Sequence, residues 1–241
     1  YLSGLMKEKL PEWAFALLKE AGEVAASHGF SAYAVGGFVR DLVLRRENLD
    51  IDIVIEGGNG IVFAEDFAKR NGAKVKVHHR FKTAVIVFPD GFKLDVATAR
   101  LEYYERPGAL PTVEQSSLKL DLYRRDFIIN TLALALDPEK FGELIDFFGA
   151  QKDLKEKTIR VLHNLSFIED PTRIYRAIRF EQRFGLRIAR HTQNLIRSTV
   201  KIDLFHRLSG KRLFSEILLL LSEDNPAKSI VRLSEFDLLR F

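Results

Sequence analysis

The sequence predicts an α/β part followed by an all-α part, and three observations carry that division. Up to about residue 98, short apolar or alternating runs of strand length are interleaved with amphipathic helical stretches and broken by glycine turns. Beyond residue 150 nearly every segment has helical period. The charge changes in the same region: residues 1–150 hold 19 Lys and Arg against 22 Asp and Glu, net −3, whereas 151–241 hold 18 against 11, net +7. Strands mixed with helices in the first part imply a mixed sheet covered by helices.

Glu12 to His28 has the spacing of an amphipathic helix, and Gly29 supplies its C-terminal stop. Ala32 to Val35 is a short apolar run ending in Gly36-Gly37, as a buried strand breaking into a turn would be. Val39 to Arg46 is helical. Asp50 to Ile55 alternates as a strand, with Asp50 and Asp52 on one face and Ile51, Ile53 and Ile55 on the other. Gly57, Gly58 and Gly60 mark a turn, and Ile61 to Arg70 a helix. Strands are expected at 74–77, 84–88 and 92–97, the last two joined by the hairpin signal Asp90-Gly91. Residues 100–122, with Arg106-Pro107-Gly108 and Leu110-Pro111, have no period and are expected to be a long loop. A helical pattern begins at Asp126, and 143–148 suits one more strand. Helices are then expected at about 152–157, 163–169, 171–184, 191–203, 207–222 and 225–238.

With no cysteine among 241 residues, a disulfide scaffold, thiolate metal sites and a Cys nucleophile are excluded. No run of 18 uncharged apolar residues exists, so no membrane-spanning helix is expected. The start, Tyr1-Leu2-Ser3-Gly4, does not resemble a signal peptide, and the expected location is cytoplasmic. The end at Phe241, inside an amphipathic run, predicts a fragment of a longer chain.

Three constellations carry chemistry. In the first, Gly36 and Gly37 stand between a strand and a helix, where backbone amides can approach a phosphate, and Arg40 can add charge-assisted bonds. Asp50 and Asp52 share a strand face away from the isoleucines. Two carboxylates so close repel unless a cation lies between them, and Mg²⁺ suits an all-oxygen site. Two such ions would serve an in-line displacement at phosphorus. The bland alternative is a solvated edge strand with two exposed acids.

Gly36-Gly37-Phe38-Val39-Arg40-Asp41 followed by Asp50-Ile51-Asp52 resembles the head of class II, bacterial-type tRNA nucleotidyltransferases and their poly(A) polymerase relatives, in the superfamily that includes DNA polymerase beta. Arg124-Arg125-Asp126-Phe127-Ile128-Ile129-Asn130 is similar to that family's Arg-Arg-Asp-Phe-Thr-Ile-Asn motif, with Ile128 where Thr is usual. Asp146 to Arg160 resembles its linking motif, Glu169-Asp170-Pro171-Thr172-Arg173 its base-reading motif, and Ser209 to Glu216 its last, weaker one. The match runs in order from about residue 33 to 220.

The second constellation is Arg124 to Asn130. From residue types alone Asp126 could be a helix cap beside two solvated arginines. The resemblance implies that Arg125 contacts the incoming nucleotide and that Asp126 and Asn130 organise its sugar side. The third is Asp170 with Arg173, Arg176 and Arg179, a stripe at i, i+3 and i+6. Asp170 precedes Pro171 and suits an N-cap, and the stripe alone suits a basic solvated face. A carboxylate with a guanidinium also fits the Watson–Crick edge of cytosine and adenine, which offer an amine beside an acceptor. The pair leaves uracil and guanine with unpaired polar groups. The resemblance implies this base-reading role for Asp170 and Arg173, and nucleotide contacts for Arg176 and Arg179. Asp95, on a neighbouring strand, would suit a third metal-site carboxylate or be an exposed strand acid. Glu216 suits a structural ion pair, and the Phe-rich C-terminal helices suit a core. The loop 100–122 resembles the family's mobile loop, which helps the pocket pass from C to A.

The expected architecture is therefore a nucleotidyltransferase head over 1–140, a helical neck over 141–200 and the start of a helical body over 201–241. The expected activity is template-independent, Mg²⁺-dependent addition of CMP or AMP from CTP or ATP to the 3′ end of tRNA, as a CCA-adding or A-adding enzyme. A poly(A) polymerase acting on other RNA 3′ ends is the near alternative, and a non-catalytic RNA-binding module the alternative of another class. Metal falls to Asp50 and Asp52, the triphosphate to Gly37 and Arg40, the incoming nucleotide's phosphate or ribose to Arg125 as the resemblance implies, and RNA to the basic half.

Overall fold

The computed structural model describes residues 1–103, 112–202 and 210–240. Its first elements are α1 (Ser3–Lys9), α2 (Glu12–Ser27), β1 (Ser31–Val35), α3 (Gly37–Val43), β2 (Ile51–Glu56) and α4 (Gly60–Arg70). Next come β3 (Lys74–His78), β4 (Thr83–Val87), β5 (Lys93–Thr98), β6 (Arg100–Tyr103), β7 (Thr112–Gln115), α5 (Leu118–Tyr123), β8 (Ala133–Ala135) and β9 (Leu144–Ile145). The remainder is α6 (Ala150–Lys155), β10 (Thr158–Ile159), α7 (Ser166–Glu169), α8 (Thr172–Phe184), β11 (Arg187–Ile188), α9 (Arg190–Ile202), α10 (Gly210–Leu221) and α11 (Pro226–Glu235).

The chain divides into two compact units. The first comprises Tyr1–Glu102, Val113–Arg125 and Ile129–Gln151, and the second includes Asp126–Ile128 and everything from Lys152. The first unit is built on a mixed seven-stranded sheet of order β3-β4-β5-β2-β1-β8-β9. β2 runs parallel to β5, and the other pairs of this sheet that share a register are antiparallel. α2 buries Leu17, Leu18, Ala21, Val24 and Ala25 along one stripe. Gly22 lies on that stripe because a Cβ there would come within 1.8 Å of the Leu136 carbonyl oxygen.

Three expectations are corrected here. The apolar run after Asp126 is not a helix: Ile128–Asn130 is one 3₁₀ turn, and Ala133–Ala135 is a strand between β1 and β9. Leu132 to Leu136 are all buried, so the run does not alternate, and periodicity cannot separate such a strand from a buried helix. Residues 100–122 are not one loop, since they hold β6, β7 and α5; 104–111 lie outside the described residues. The third is the division of β2 into an apolar isoleucine face and a separate carboxylate face, because beyond Asp52 the carboxylate face is also core. Val54 shares it and packs in a small core with Val35, Ala99, Leu118, Leu122 and Ala133. β2 is a central strand, covered on both faces.

In the second unit α8 buries Ile174, Tyr175, Ala177, Ile178 and Phe180, and packs on α7, α10 and α11. Gly185, at φ 61°, takes the left-handed position that ends α8, and Leu186 N–H donates back to the Glu181 carbonyl at 3.0 Å. The Glu181 side chain accepts from Ile188 N–H and from Arg232, tying β11 and α11 to the end of α8. Residues 203–209, including Ser209 of the last motif and the start of the helix expected at 207, lie outside the described residues. The expectation of a buried Phe-rich terminus holds for Phe236, at 2% exposure, but not for Phe214 on α10, at 60%.

Candidate active site

In the first unit, β1 ends at Val35, opposite Asp52 of β2, and the chain turns at Gly36 into α3. Gly36 has φ 73°, a conformation that disfavours any residue with a Cβ. A Cβ there would also lie 2.6 Å from Arg125 Nη1 and 3.8 Å from Asp52 Oδ2, so the turn, the guanidinium and the carboxylate meet at one place. Asp52 pairs in register with Asp95 on β5. Burial pushes the Asp52 carboxyl up to about 6; Arg125 opposes that rise, and Asp50, Asp95 and Asp121 add to it. Burial also raises Asp95, with Asp50 adding and Lys93 and His78 opposing. Among the described residues no three His, Asp or Glu side chains already form a metal cage. The donor chemistry nevertheless fits a hard divalent cation: an all-oxygen group of acids, destabilised by its own charge, with Asp50 exposed and Asp52 partly so.

Asp50 stands one residue before β2, at the end of the exposed segment that follows α3. Arg40, expected to face phosphate, is 4% exposed. Its guanidinium donates to both carboxylate oxygens of Asp41, at 2.8 and 3.0 Å, and to Asn130 Oδ1 at 2.6 Å. Its Nη2 would be 3.6 Å from a Cβ on Gly37, so Arg40 holds the glycine turn from within.

Asp121 was not among the expected site residues. It is fully buried on α5 and accepts from Arg124 at 2.8 Å, from Arg125 at 3.4 Å and from Arg100 N–H at 3.3 Å. Burial alone would raise its carboxyl, but Arg124 and Arg125 hold it below the usual carboxylate range. It anchors the arginine that reaches Gly36. The signal in the sequence is an acid three and four residues before two arginines on a Leu-rich helix.

The second unit holds the other expected residues. Asp170 Oδ1 accepts from the backbone N–H and hydroxyl of Thr172, at 3.2 and 2.6 Å, so it supports the first turn of α8. Its Oδ2 accepts from Arg212 of α10 at 2.7 Å. Arg173 is buried and donates to Ser166 Oγ at 2.7 Å. Asp170 and Arg173 are thus held in place by Thr172, Arg212 and Ser166. Arg176 pairs with Asp126 at 2.7 Å and lies 3.8 Å from Glu216. Those acids raise its pKa, Asp126 most, against the cost of burial. Arg179 lies 3.8 Å from Glu216 and 3.7 Å from Glu223, and over the Phe180 ring. Glu216 is raised by burial, with Arg176 and Arg179 opposing, and it fills the ion-pair role expected of it. The arginine stripe is matched by acids rather than left as a bare basic face.

The Poly A polymerase head domain family matches residues 32–160, and the family described as the probable RNA and SrmB-binding site of polymerase A matches 185–241. The chain is 61% identical over 237 residues to the A-adding tRNA nucleotidyltransferase of Geobacter sulfurreducens, a match covering 98% of this chain and 27% of that protein. It is 40% identical over 236 residues to the A-adding tRNA nucleotidyltransferase of Halalkalibacterium halodurans, covering 97% and 55%. The solved CCA-adding enzyme of Thermotoga maritima complexed with tRNA superposes with a TM-score of 0.89 at 45% identity, over 99% of this chain and 54% of that one. The chain thus spans between about a quarter and about half of the relatives it matches.

Proposed function

Because the chain belongs to the family of the poly(A) polymerase head domain, within the class II tRNA nucleotidyltransferases and poly(A) polymerases, we propose that it catalyses template-independent transfer of AMP from ATP to the 3′ end of tRNA. The observation that carries the reading is the meeting of Arg125 and Asp52 at the Gly36 turn, with Asp95 in register and Asp50 at the head of the strand. That arrangement has the parts a nucleotidyl transfer needs: a glycine turn open to phosphate, a cation for phosphate or ribose, and acids for divalent metal. The names of the two tRNA nucleotidyltransferases above favour A addition. Complete CCA addition is the second reading, favoured by the likeness to a CCA-adding enzyme.

The 3′-hydroxyl of the RNA gives its proton to solvent, and its oxygen forms a bond to the α-phosphorus as the bond from that phosphorus to the bridging oxygen breaks and pyrophosphate leaves with the electron pair. Asp50 and Asp52 would hold divalent metal, two ions in this proposal. Bound there, it would supply a lowered pKa for the attacking hydroxyl and positive charge for the leaving pyrophosphate. Gly36 and Gly37 let the triphosphate approach the backbone, and Arg125 binds its phosphate or ribose. Arg40 acts on the triphosphate side by keeping the turn in shape. Asp170 accepts from the exocyclic amine of adenine or cytosine and Arg173 donates to the adjacent ring nitrogen, so uracil and guanine leave buried groups unpaired. Arg176 and Arg179 support that helix and the nucleotide beside it.

The test offers purified protein tRNAs ending at the discriminator base, at CC and at CCA, with each nucleoside triphosphate singly. A single A added to the CC end alone is the expected result, abolished in Asp50→Asn, while Asp170→Ala admits UTP or GTP. Three-step extension from the discriminator base would establish CCA addition. Long A tails on unrelated RNA would establish a poly(A) polymerase. RNA binding without extension in any arm would refute the enzyme reading.

A further inference from the structure

We propose that Asn48 is a positioning residue for Asp50, the outer link of a hydrogen-bond relay that is buried at its inner end and ties the metal-binding carboxylate to the triphosphate-binding turn. The inference rests on the reading of Asp50 as a metal carboxylate. The relay starts at Asn130, whose Oδ1 accepts from Arg40 Nη1 at 2.6 Å. Arg40 grips Asp41 through both carboxylate oxygens, and Asp41 Oδ2 accepts in turn from Asn48 Nδ2 at 2.7 Å. Asn48 Oδ1 accepts from the backbone N–H of Asp50 at 2.8 Å. Arg40, Asp41 and Asn130 are all buried, so the first links lie where water does not compete.

Nothing else described in this segment fixes Asp50 so directly. Arg45, Arg46, Glu47, Leu49 and Asp50 are all exposed, and Asn48 alone between them is half-buried. The ladder of β2 begins one residue later, at Ile51. Beside the segment lies a pocket of about 260 Å³, bordered by Leu10, Phe38 and Leu42 and by Glu47, Asn48 and Leu49 of the segment itself, so close packing does not clamp it there. A carboxylate that must meet a cation at a set place is therefore positioned by polar bonds, and Asn48 is the one side chain that makes bonds in both directions. Groups that orient a metal ligand from behind typically change metal affinity by about 10- to 100-fold when removed.

The experiment uses Mn²⁺ alone as the probe, with binding read by electron paramagnetic resonance on the wild-type chain, Asn48→Ala, Asn48→Asp and Asp50→Asn. Hydrogen exchange of the Asp50 amide is read without metal. Asn48→Ala should weaken Mn²⁺ binding by about tenfold or more, and its Asp50 amide should exchange at least about tenfold faster. Asn48→Asp separates positioning from charge. An added carboxylate two residues from Asp50 would by charge alone tighten Mn²⁺ binding, whereas the relay predicts weakening, because the new carboxylate repels Asp41. Wild-type Mn²⁺ affinity in Asn48→Ala, an unchanged Asp50 amide, or tighter binding in Asn48→Asp would overturn the proposal. Equal affinity in the wild-type chain and Asp50→Asn would instead refute Asp50 as a metal carboxylate.

Discussion

Asp52 is held in a state that favours its neutral form. Its carboxyl is pushed up to about 6 from an ordinary 3.8, chiefly by burial, with neighbouring acids adding to the rise. A raised native pKa means that the folded chain binds this proton more tightly than the unfolded chain. Stability from this group is complete below about 3.8 and is lost as pH rises to about 6. Without divalent metal, Asp52→Asn should therefore stabilise the protein at pH 7.5 by on the order of 2 kcal/mol, and by nothing near pH 3.5. Thermal unfolding in a chelator at both pH values checks this. A variant no more stable than the wild type at pH 7.5 would show that Asp52 is not destabilised by its surroundings. The same variant should lose transfer activity, the usual trade between stability and a charged site.

At the scale of elements, the site depends on close approaches that only small residues permit. α2 lies against the end of β8 so closely that a Cβ at Gly22 would meet the Leu136 carbonyl oxygen at 1.8 Å. A backbone carbonyl cannot swing aside as a side chain can. Although alanine is the better helix former, Gly22→Ala should destabilise the chain by about 1–3 kcal/mol, measured by urea unfolding. A neutral or stabilising effect would mean that α2 shifts freely on the sheet. β8 matters because it borders β1, the strand that delivers Gly36. α5 contributes through Asp121 and β2 through Asp52, so three elements from separate parts of the chain supply one turn.

For the whole molecule, the two units have opposite charge balance, and the described acids and bases of the second are extensively paired. The net excess of base beyond residue 150 still predicts an electrostatic contribution to RNA binding. Affinity for tRNA should fall steeply between about 50 and 200 mM salt, by a factor of about 10³ if six or so phosphates are neutralised. A filter-binding titration over that range measures the slope, and a flat response would remove the basic half from RNA recognition. No helix among the described residues is long and apolar enough to cross a membrane.

Much of this protein was legible in its sequence. Most strands and helices up to residue 98, the change from α/β to all-α, and the paired acids beside a glycine turn follow from local periodicity and residue chemistry, while the roles expected of the arginines and of Asp170 come from the resemblance of their motifs. These signals depend on neighbours within a few positions, so the chain displays them unfolded. What only the tertiary structure decided is which groups meet. It made the Leu132–Leu136 run a strand by burying both its faces, and set Asp95 beside Asp52 through the parallel pairing of β2 and β5. It placed Arg125 at Gly36, turned Arg40 inward to Asp41, and paired Asp170 with Arg212, forty-two residues away. Such pairings need a folded backbone that removes water from both partners and holds them within hydrogen-bond reach, and no local window of sequence contains that information.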